Sequence, residues 1–422
     1  MITRVPSVVH QSRLLRLNIG ELLAVATLGA LALEPLLGSL AAGSFLLFGL
    51  LLLASQPVHS LSSLVRYWPL LLLPAYCLLS TLWSDFPDST LRYSTQLAVT
   101  LAIAIVIACR VSSESLLRGL FCIYSLGIVL SLVIGRNSDG SAWLGIFGSK
   151  NAFAAFVSVF AVISVGVAFD KGAVRGLRVA GLVGAVLSLP LLVRAQSAGA
   201  LAVIGPAVLS VLAVMLIRRL SAPQKLVVLA AVVFAVLVGA LVFATYGTQL
   251  LGAFLETSGK DSTLTGRTDL WRTGLTLISD KPFLGVGYRA FWVKGNGPAE
   301  QLWAMFGEPS GAGFNFHNLY ISNAVDLGLV GLSIEVALIY LTASILVVLA
   351  FVRPTHVVAA LLGLHLLLIL RSFVEVEVFF EFSVRTVLAY CTVVYAAREF
   401  LHWRATRQVP LSSRAYLARG TA

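Results

Sequence analysis

The sequence predicts an all-α polytopic membrane protein of about twelve transmembrane helices with one large loop outside the membrane, and three observations predict it. Of 422 residues, 58% are hydrophobic and 12% charged, with a mean hydropathy of +0.93; ordinary soluble domains carry roughly 25% charged residues. Apolar runs long enough to span a hydrocarbon core about 30 Å thick recur from end to end, and a segment in lipid satisfies its backbone groups by being helical. One long polar interruption, from Tyr246 to Asn318, breaks this pattern.

The expected spans are 17–35, 37–54, 67–83, 92–110, 115–134, 150–169, 177–193, 199–217, 226–245, 331–351, 356–373 and 383–400. The first follows Arg4, Arg13 and Arg16 without a small-residue cleavage site, so it reads as a retained helix rather than a signal peptide. Span 92–110 follows a turn from Asp85 to Asp88, and span 150–169 opens on Gly148-Ser149-Lys150-Asn151. Spans 177–193 and 199–217 form a hairpin closed by Arg194-Ala195-Gln196-Ser197-Ala198-Gly199. After the polar interruption, His317-Asn318 opens an apolar helix that covers 331–351 and starts as early as 319. Residues 1–422 thus read as a single integral membrane domain with 246–318 as its large loop.

An even number of spans puts both termini on one side, and the basic residues identify that side as cytoplasmic. Lys171, Arg175, Arg178, Arg218, Arg219, Lys225 and Arg353 fall in inside loops, with Arg404, Arg407, Arg414 and Arg419 in the tail. Topology therefore absorbs most of the net charge of +11, and no nucleic-acid partner is implied. The 246–318 loop then lies in the periplasm or its equivalent. Cys77, Cys109, Cys122 and Cys391 all sit within apolar spans, as small buried thiols do, and no cluster has zinc or calcium spacing. Neither a metal nor a cofactor is expected.

Arg92, Arg136, Lys150, Arg194, Lys260, Arg267, Arg272, Lys281, Arg289, Lys294, Arg371 and Arg385 run against the positive-inside bias. A cation near lipid needs a partner or a watery cavity. Outer acids such as Asp85, Asp139, Asp269, Glu375, Glu377 and Glu381 are one set of partners, with Arg371 and Arg385 expected to take the three glutamates. A phosphate-bearing ligand is the other, because the planar fork of Arg grips phosphate oxygens in pairs and Lys adds a point charge. Lys150 would also sit at the positive end of a helix.

The ordered set Gly148-Ser149-Lys150-Asn151, Gly266-Arg267-Thr268-Asp269-Leu270-Trp271, Pro282-Phe283-Leu284-Gly285-Val286-Gly287 and His317-Asn318 resembles the O-antigen ligase and exopolysaccharide polymerase superfamily. The resemblance implies a membrane-embedded, GT-C-like glycosyltransferase of the bacterial inner membrane, inverting and metal-independent, with an undecaprenyl-diphosphate-linked glycan as donor. Its polymerases extend another lipid-linked repeat unit, whereas its ligases transfer finished O-antigen to lipid A core; other polysaccharide export proteins are implied partners. Arg267 matches the motif's arginine, Lys150-Asn151 its basic-Asn pair, and His317-Asn318 its outer-loop histidine and following Asn. Many members carry a basic residue just after the hairpin serine; here Ser197 is followed by Ala198, and Arg194 is the substitute at hand.

Transfer from a lipid diphosphate needs mainly charge neutralisation of the leaving group. Arg267, Arg289 and Lys150, with Arg194, are the candidates for it. An acceptor hydroxyl must also lose its proton, a task suited to His near neutral pH. His317 is the candidate base: His10, His59, His356 and His402 fall on the cytoplasmic side and His365 lies within a span. Asn318, Trp271 and Asn151 are candidates for holding the glycan or the acceptor. Trp271, Tyr288, Phe291, Trp292, Trp303 and Phe316 either stack on sugars or form an interfacial belt. Gly285 and Gly287 permit a tight turn rather than a nucleotide loop. The Lys150-Asn151 and Arg267–Trp271 elements lie closer to polymerases than to ligases. A transporter or flippase is the alternative from another class, since Asp326 and Glu335 fall within an apolar stretch, but the two halves show no repeat of hydropathy.

Overall fold

The computed structural model describes residues 19–138, 140, 142–257, 261–308, 311 and 313–408. Arg4, His10, Arg13, Arg16, Asp139, Lys260, Arg414 and Arg419 lie outside the described residues. The chain is nearly all helix: α1 Ile19–Ala32, α2 Glu34–Leu37, α3 Leu40–Ser55, α4 Pro57–Arg66, α5 Leu72–Leu79, α6 Pro87–Arg110, α7 Ser113–Ile134 and α8 Lys150–Ala168 make up the first half. Then come α9 Arg175–Arg194, α10 Ala198–Ile217, α11 Ala222–Thr257, α12 Asp261–Asp280, α13 Gly297–Met305, α14 Leu319–Val352, α15 His356–Ser372 and α16 Val384–Gln408. A two-stranded antiparallel ribbon, β1 Arg136–Asn137 with β2 Trp143–Gly145, joins α7 to α8.

Each expected span coincides with a helical segment. By length and composition, seven helices among the described residues are apolar enough to cross a membrane, or eight if α3 and α4, bent by 98° at Gln56, form one broken span. The other segments are shorter or more polar. Ile19–Ala32, Trp68–Leu82 and His356–Ser372 are short apolar helices, and at 1.5 Å per residue such lengths fall short of the hydrocarbon core. Helix α16 carries Arg385, Arg398 and Glu399.

Helix α8 is central. Its membrane-length window is 83% buried, against 28% for α9 and α10, and α7, α9, α10 and α15 all pack on it. Its start is legible locally: the Ser149 hydroxyl accepts from the Ala152 N–H at 3.2 Å, the usual N-cap bond. Small residues let its neighbours approach, as is common among membrane helices.

The polar interruption folds as a helical annex. Helices α12 and α13 close around Leu270, Phe291, Leu302, Trp303 and Phe316, a separate small core. Phe291, Trp303 and Phe316 are therefore packing residues of this core, whereas Tyr288, buried in the main core, and the half-buried Trp292 stand on a cavity wall.

Helix α14 is broken at Gly328, where φ is +64° and ψ is −172°. A break in a buried stretch of helix frees backbone groups that must find partners. The stretch from Pro282 to Gly287 supplies them: Leu329 N–H donates to Pro282 O at 2.8 Å and Val330 N–H to Phe283 O at 3.3 Å. In return, Val286 N–H donates to Val325 O at 3.1 Å and Gly287 N–H to Asp326 O at 2.8 Å. The Tyr76 hydroxyl donates to Leu327 O at 3.1 Å. Gly328 and Gly285 are required by this close approach, because a Cβ on Gly328 would lie 2.2 Å from Phe283 O and one on Gly285 2.5 Å from Asp326 O.

Replacing Gly328 by Ala should therefore cost more than the roughly 1–3 kcal/mol of a strained φ. Gly313→Ala is the control, since Gly313 has φ +73° but open space around it. The melting temperature of the detergent-solubilised protein should fall clearly further for Gly328→Ala than for Gly313→Ala.

Candidate functional site

A cavity of about 760 Å³ lies between the helical bundle and the annex. One wall is apolar, with Leu31, Ala41, Ala155 and Phe156 on it, while Tyr93, Arg289, Asp326, Glu381 and Arg385 line the rest. An apolar flank beside a cluster of charges suits a ligand that is part lipid and part anion.

Arg289 stands on the cavity wall with an unusual set of restraints. Its φ is +59°, its N–H donates to Asp326 Oδ2 at 3.1 Å, and its Nη2 donates to Glu381 Oε1 at 3.1 Å. The guanidinium carbon lies 4.9 Å from the Tyr93 ring centre and 4.8 Å from that of Phe380. Two rings within cation–π distance restrain the guanidinium beside the cavity. Burial works against the charge of Arg289, but Glu381, Tyr288, Asp326 and Tyr93 together outweigh it and hold the guanidinium more firmly protonated than usual.

His317, Arg267 and Glu375 form a second cluster. His317 Nδ1 lies 3.0 Å from Glu375 Oε2, and Arg267 Nη2 donates to Glu375 Oε1 at 3.1 Å. Arg267 Nη1 also donates to Val374 O at 3.0 Å. Asn318 caps α14 through its Oδ1, which accepts from Ile321 N–H at 3.1 Å, while its Nδ2 donates to Phe373 O at 3.1 Å. Trp271 donates from Nε1 to Phe316 O at 2.8 Å. Asn318 and Trp271, expected to hold glycan, thus spend polar atoms on holding the His317 loop. The cluster adjoins the cavity rather than lining it: Phe314 and Asn315 line the cavity, and the Phe314 ring stands edge-on to His317 at 6.1 Å between centres.

Burial pushes the Glu375 carboxyl up, but the His317 hydrogen bond and the charges of His317, Arg267 and Arg371 outweigh it, leaving the carboxyl below its usual range. Glu375 was expected to pair with Arg371 or Arg385. Of the three glutamates in the α15–α16 connection, Glu377 alone does so, with Arg371 Nη2 at 2.7 Å and Arg385 Nε at 3.2 Å. Glu381 goes to Arg289. The pairings cross because the connection threads between α12, α14 and the 282–291 loop, so each acid meets the base nearest in space.

Lys150 and Arg194 lie beside each other's loops but not on the cavity lining. The Ser197 hydroxyl donates to Asn151 Oδ1 at 3.0 Å, which ties the hairpin to the start of α8, and Arg194 stands 6.0 Å from the Trp143 ring centre. Asn151 is thus a tether between helices. Lys281 and Arg272 are taken up by Asp85 and Asp269 in exposed pairs, which contribute little to stability. Asp326 and Glu335 are buried around the break in α14, and Glu335 accepts from Asn323 Nδ2 at 2.6 Å.

Burial pushes the Glu377 carboxyl up, but Arg385 and Arg371 outweigh it and hold the group below its ordinary value of 4.5. A carboxyl with a depressed folded pKa contributes stability that is fully present above the ordinary value and lost as pH falls through the depressed one. Glu377→Ala should cost about 3–5 kcal/mol at neutral pH by stranding Arg371 and Arg385. Melting curves from pH 7 downward should show a smaller loss below pH 4.5 in the variant than in the parent protein.

Comparison with known proteins bears on the family. The family model for O-antigen ligase matches residues 183–336, a stretch that holds Arg267, Arg289 and His317 and ends before Glu375. Over 337 residues the chain is 33% identical to the exopolysaccharide production protein ExoQ of Rhizobium meliloti (strain 1021), covering 75% of this chain and 74% of that one. With that extent of identity, and with its multi-pass helical architecture, the chain belongs to the O-antigen ligase and exopolysaccharide polymerase superfamily.

Proposed function

We propose that the protein polymerises exopolysaccharide or O-antigen repeat units at the periplasmic face of the bacterial inner membrane, from a glycan donor on undecaprenyl diphosphate. The observation that carries this reading is the cavity on whose wall the ring-stacked Arg289 stands, with an apolar flank of Leu31, Ala41 and Phe156 and with the His317 loop at its edge. A polyprenyl chain fits the apolar flank and a diphosphate the arginine. This reading takes the twelve spans expected from the sequence, with both termini cytoplasmic, so that 246–318 lies on the side where the lipid-linked glycan is presented.

In this mechanism the acceptor hydroxyl oxygen attacks the anomeric carbon from the face opposite the diphosphate, so the configuration inverts. The bond between that carbon and the diphosphate oxygen breaks, and the electron pair leaves with the diphosphate. Arg289 stabilises the new charge without a metal, in surroundings where a guanidinium interacts more strongly with phosphate than it would in water. Arg267, Lys150 and Arg194 add longer-range positive charge. The imidazole of His317 takes the hydroxyl proton.

Ligase activity, toward lipid A core, is favoured by the family description and differs only in the acceptor. Deletion and complementation separate the two. Loss of long polymer with single-repeat glycan retained supports the polymerase; full-length polymer accumulating on its lipid carrier means ligase. His317→Ala should lower turnover by about 10²–10⁴ and Arg289→Ala by about 10²–10³, with protein still inserted in the membrane. Full activity in both variants overturns the reading.

A further inference from the structure

The α15–α16 connection offers three carboxylates, and their surroundings differ in what is left for chemistry. Glu377 is saturated by Arg371 and Arg385. Glu381 is shared between Arg289 and the Tyr288 hydroxyl. Glu375 divides its two oxygens, Oε1 to Arg267 Nη2 at 3.1 Å and Oε2 to His317 Nδ1 at 3.0 Å. An ionised carboxylate accepts and does not donate. The proton in the Glu375–His317 bond therefore belongs to Nδ1, and Nε2 carries the free lone pair. Among the described residues no protein group bonds Nε2, and the His317 side chain is 28% exposed.

The remaining contacts keep this geometry rigid. Arg267 is braced on both Val374 O and Glu375, so the carboxylate cannot turn away without losing its cation. On the other side the His317 N–H donates to Asn315 Oδ1 at 2.7 Å, and the backbone at His317 is held at φ +48°. Asn318 ties the same turn to Phe373 O. Motif residues from α12 and from the start of α14 thus converge on residues 373–375, which end 58 positions beyond His317 at Glu375 and lie outside the matched family stretch.

We propose that Glu375 is the positioning residue of His317, holding the imidazole in its Nδ1–H tautomer with Nε2 presented to the acceptor hydroxyl. The proposal rests on the reading of His317 as the base. As the hydroxyl oxygen bonds to the anomeric carbon and the diphosphate departs with its electron pair, the hydroxyl proton moves to Nε2. The carboxylate then faces an imidazolium, the form it stabilises by charge, and stays ionised itself. Arg267 acts one step further back, by holding Glu375.

The test uses the full chain in nanodiscs, labelled with ¹⁵N-histidine, with the His317 signals assigned by their loss in His317→Ala. The wild-type protein should show protonated Nδ1 and bare Nε2 on the neutral ring. Glu375→Ala should revert His317 toward the Nε2–H form that free imidazole side chains prefer. With a lipid-linked donor and acceptor, kcat of Glu375→Ala should fall roughly 100-fold with KM changed less than about threefold, since tautomer control serves proton transfer rather than binding. Glu375→Asp should recover part of kcat, and Glu375→Gln, which keeps an oxygen for Arg267, should melt near the parent protein yet remain slow. A persistent Nδ1–H tautomer in Glu375→Ala, or unchanged kcat in Glu375→Gln, overturns the positioning role. Full activity of His317→Ala removes the base reading instead and leaves the spectra to decide the tautomer.

Discussion

The break in α14 is the constraint on which the rest of this molecule depends. A helix interrupted where its residues are buried exposes N–H and C=O groups that must be paired within the protein. Here the loop from Pro282 to Gly287 lies against the interruption and exchanges backbone hydrogen bonds with residues 325–330. That repair places the next residues: Tyr288 is buried with its hydroxyl on Phe379 O, and Arg289 is brought to the cavity with its own N–H on Asp326. The upper half of the broken helix begins at the Asn318 cap, immediately after His317. One structural defect in a membrane helix therefore sets the position of both the candidate diphosphate-binding residue and the candidate base.

The second organising feature is charge pairing along the α15–α16 connection. Glu375, Glu377 and Glu381 each meet one or two of the basic residues that topology alone does not explain. In a low-dielectric setting an unpaired guanidinium is costly, whereas a paired one is held in a defined plane. Arg371 and Arg385 spend their charge on Glu377 and hold the connection in place. Arg289 bonds Glu381 through Nη2 while the rings of Tyr93 and Phe380 stand within cation–π distance of its guanidinium. The same chemistry thus serves architecture at one glutamate and the candidate site at the others.

Much of this was legible in the sequence, and particular residues show how far. Every expected span has a helix, because hydropathy and length report directly on the cost of burying backbone in lipid. Lys150 opens a helix because Ser149 is a local cap, and His317-Asn318 does so because Asn318 is one. Gly285 and Gly287 suit a tight turn on sequence, but the close approaches that require them are to Asp326 and Gly328 of α14 for Gly285 and to Ser84 for Gly287. Phe291, Trp303 and Phe316, open on composition as stacking platforms or a belt, form a core, because composition does not distinguish a ring that faces lipid from one that faces another ring.

The sequence by itself determined that the chain is a membrane protein, which segments are helical, which family motifs it carries, and that Arg267, Arg289 and His317 belong to one polar region. Those properties depend on residues near one another in the chain, through hydropathy, capping and short motifs. The tertiary structure decided which acid meets which base, that Glu375 bridges Arg267 and His317, that Arg289 and not Arg267 lines the cavity, and that Asn151 and Trp271 are tethers. Each of these contacts joins segments tens of residues apart. Electrostatic pairing follows distance in space, and several acids of similar spacing compete for the same arginines until packing brings one of them within reach.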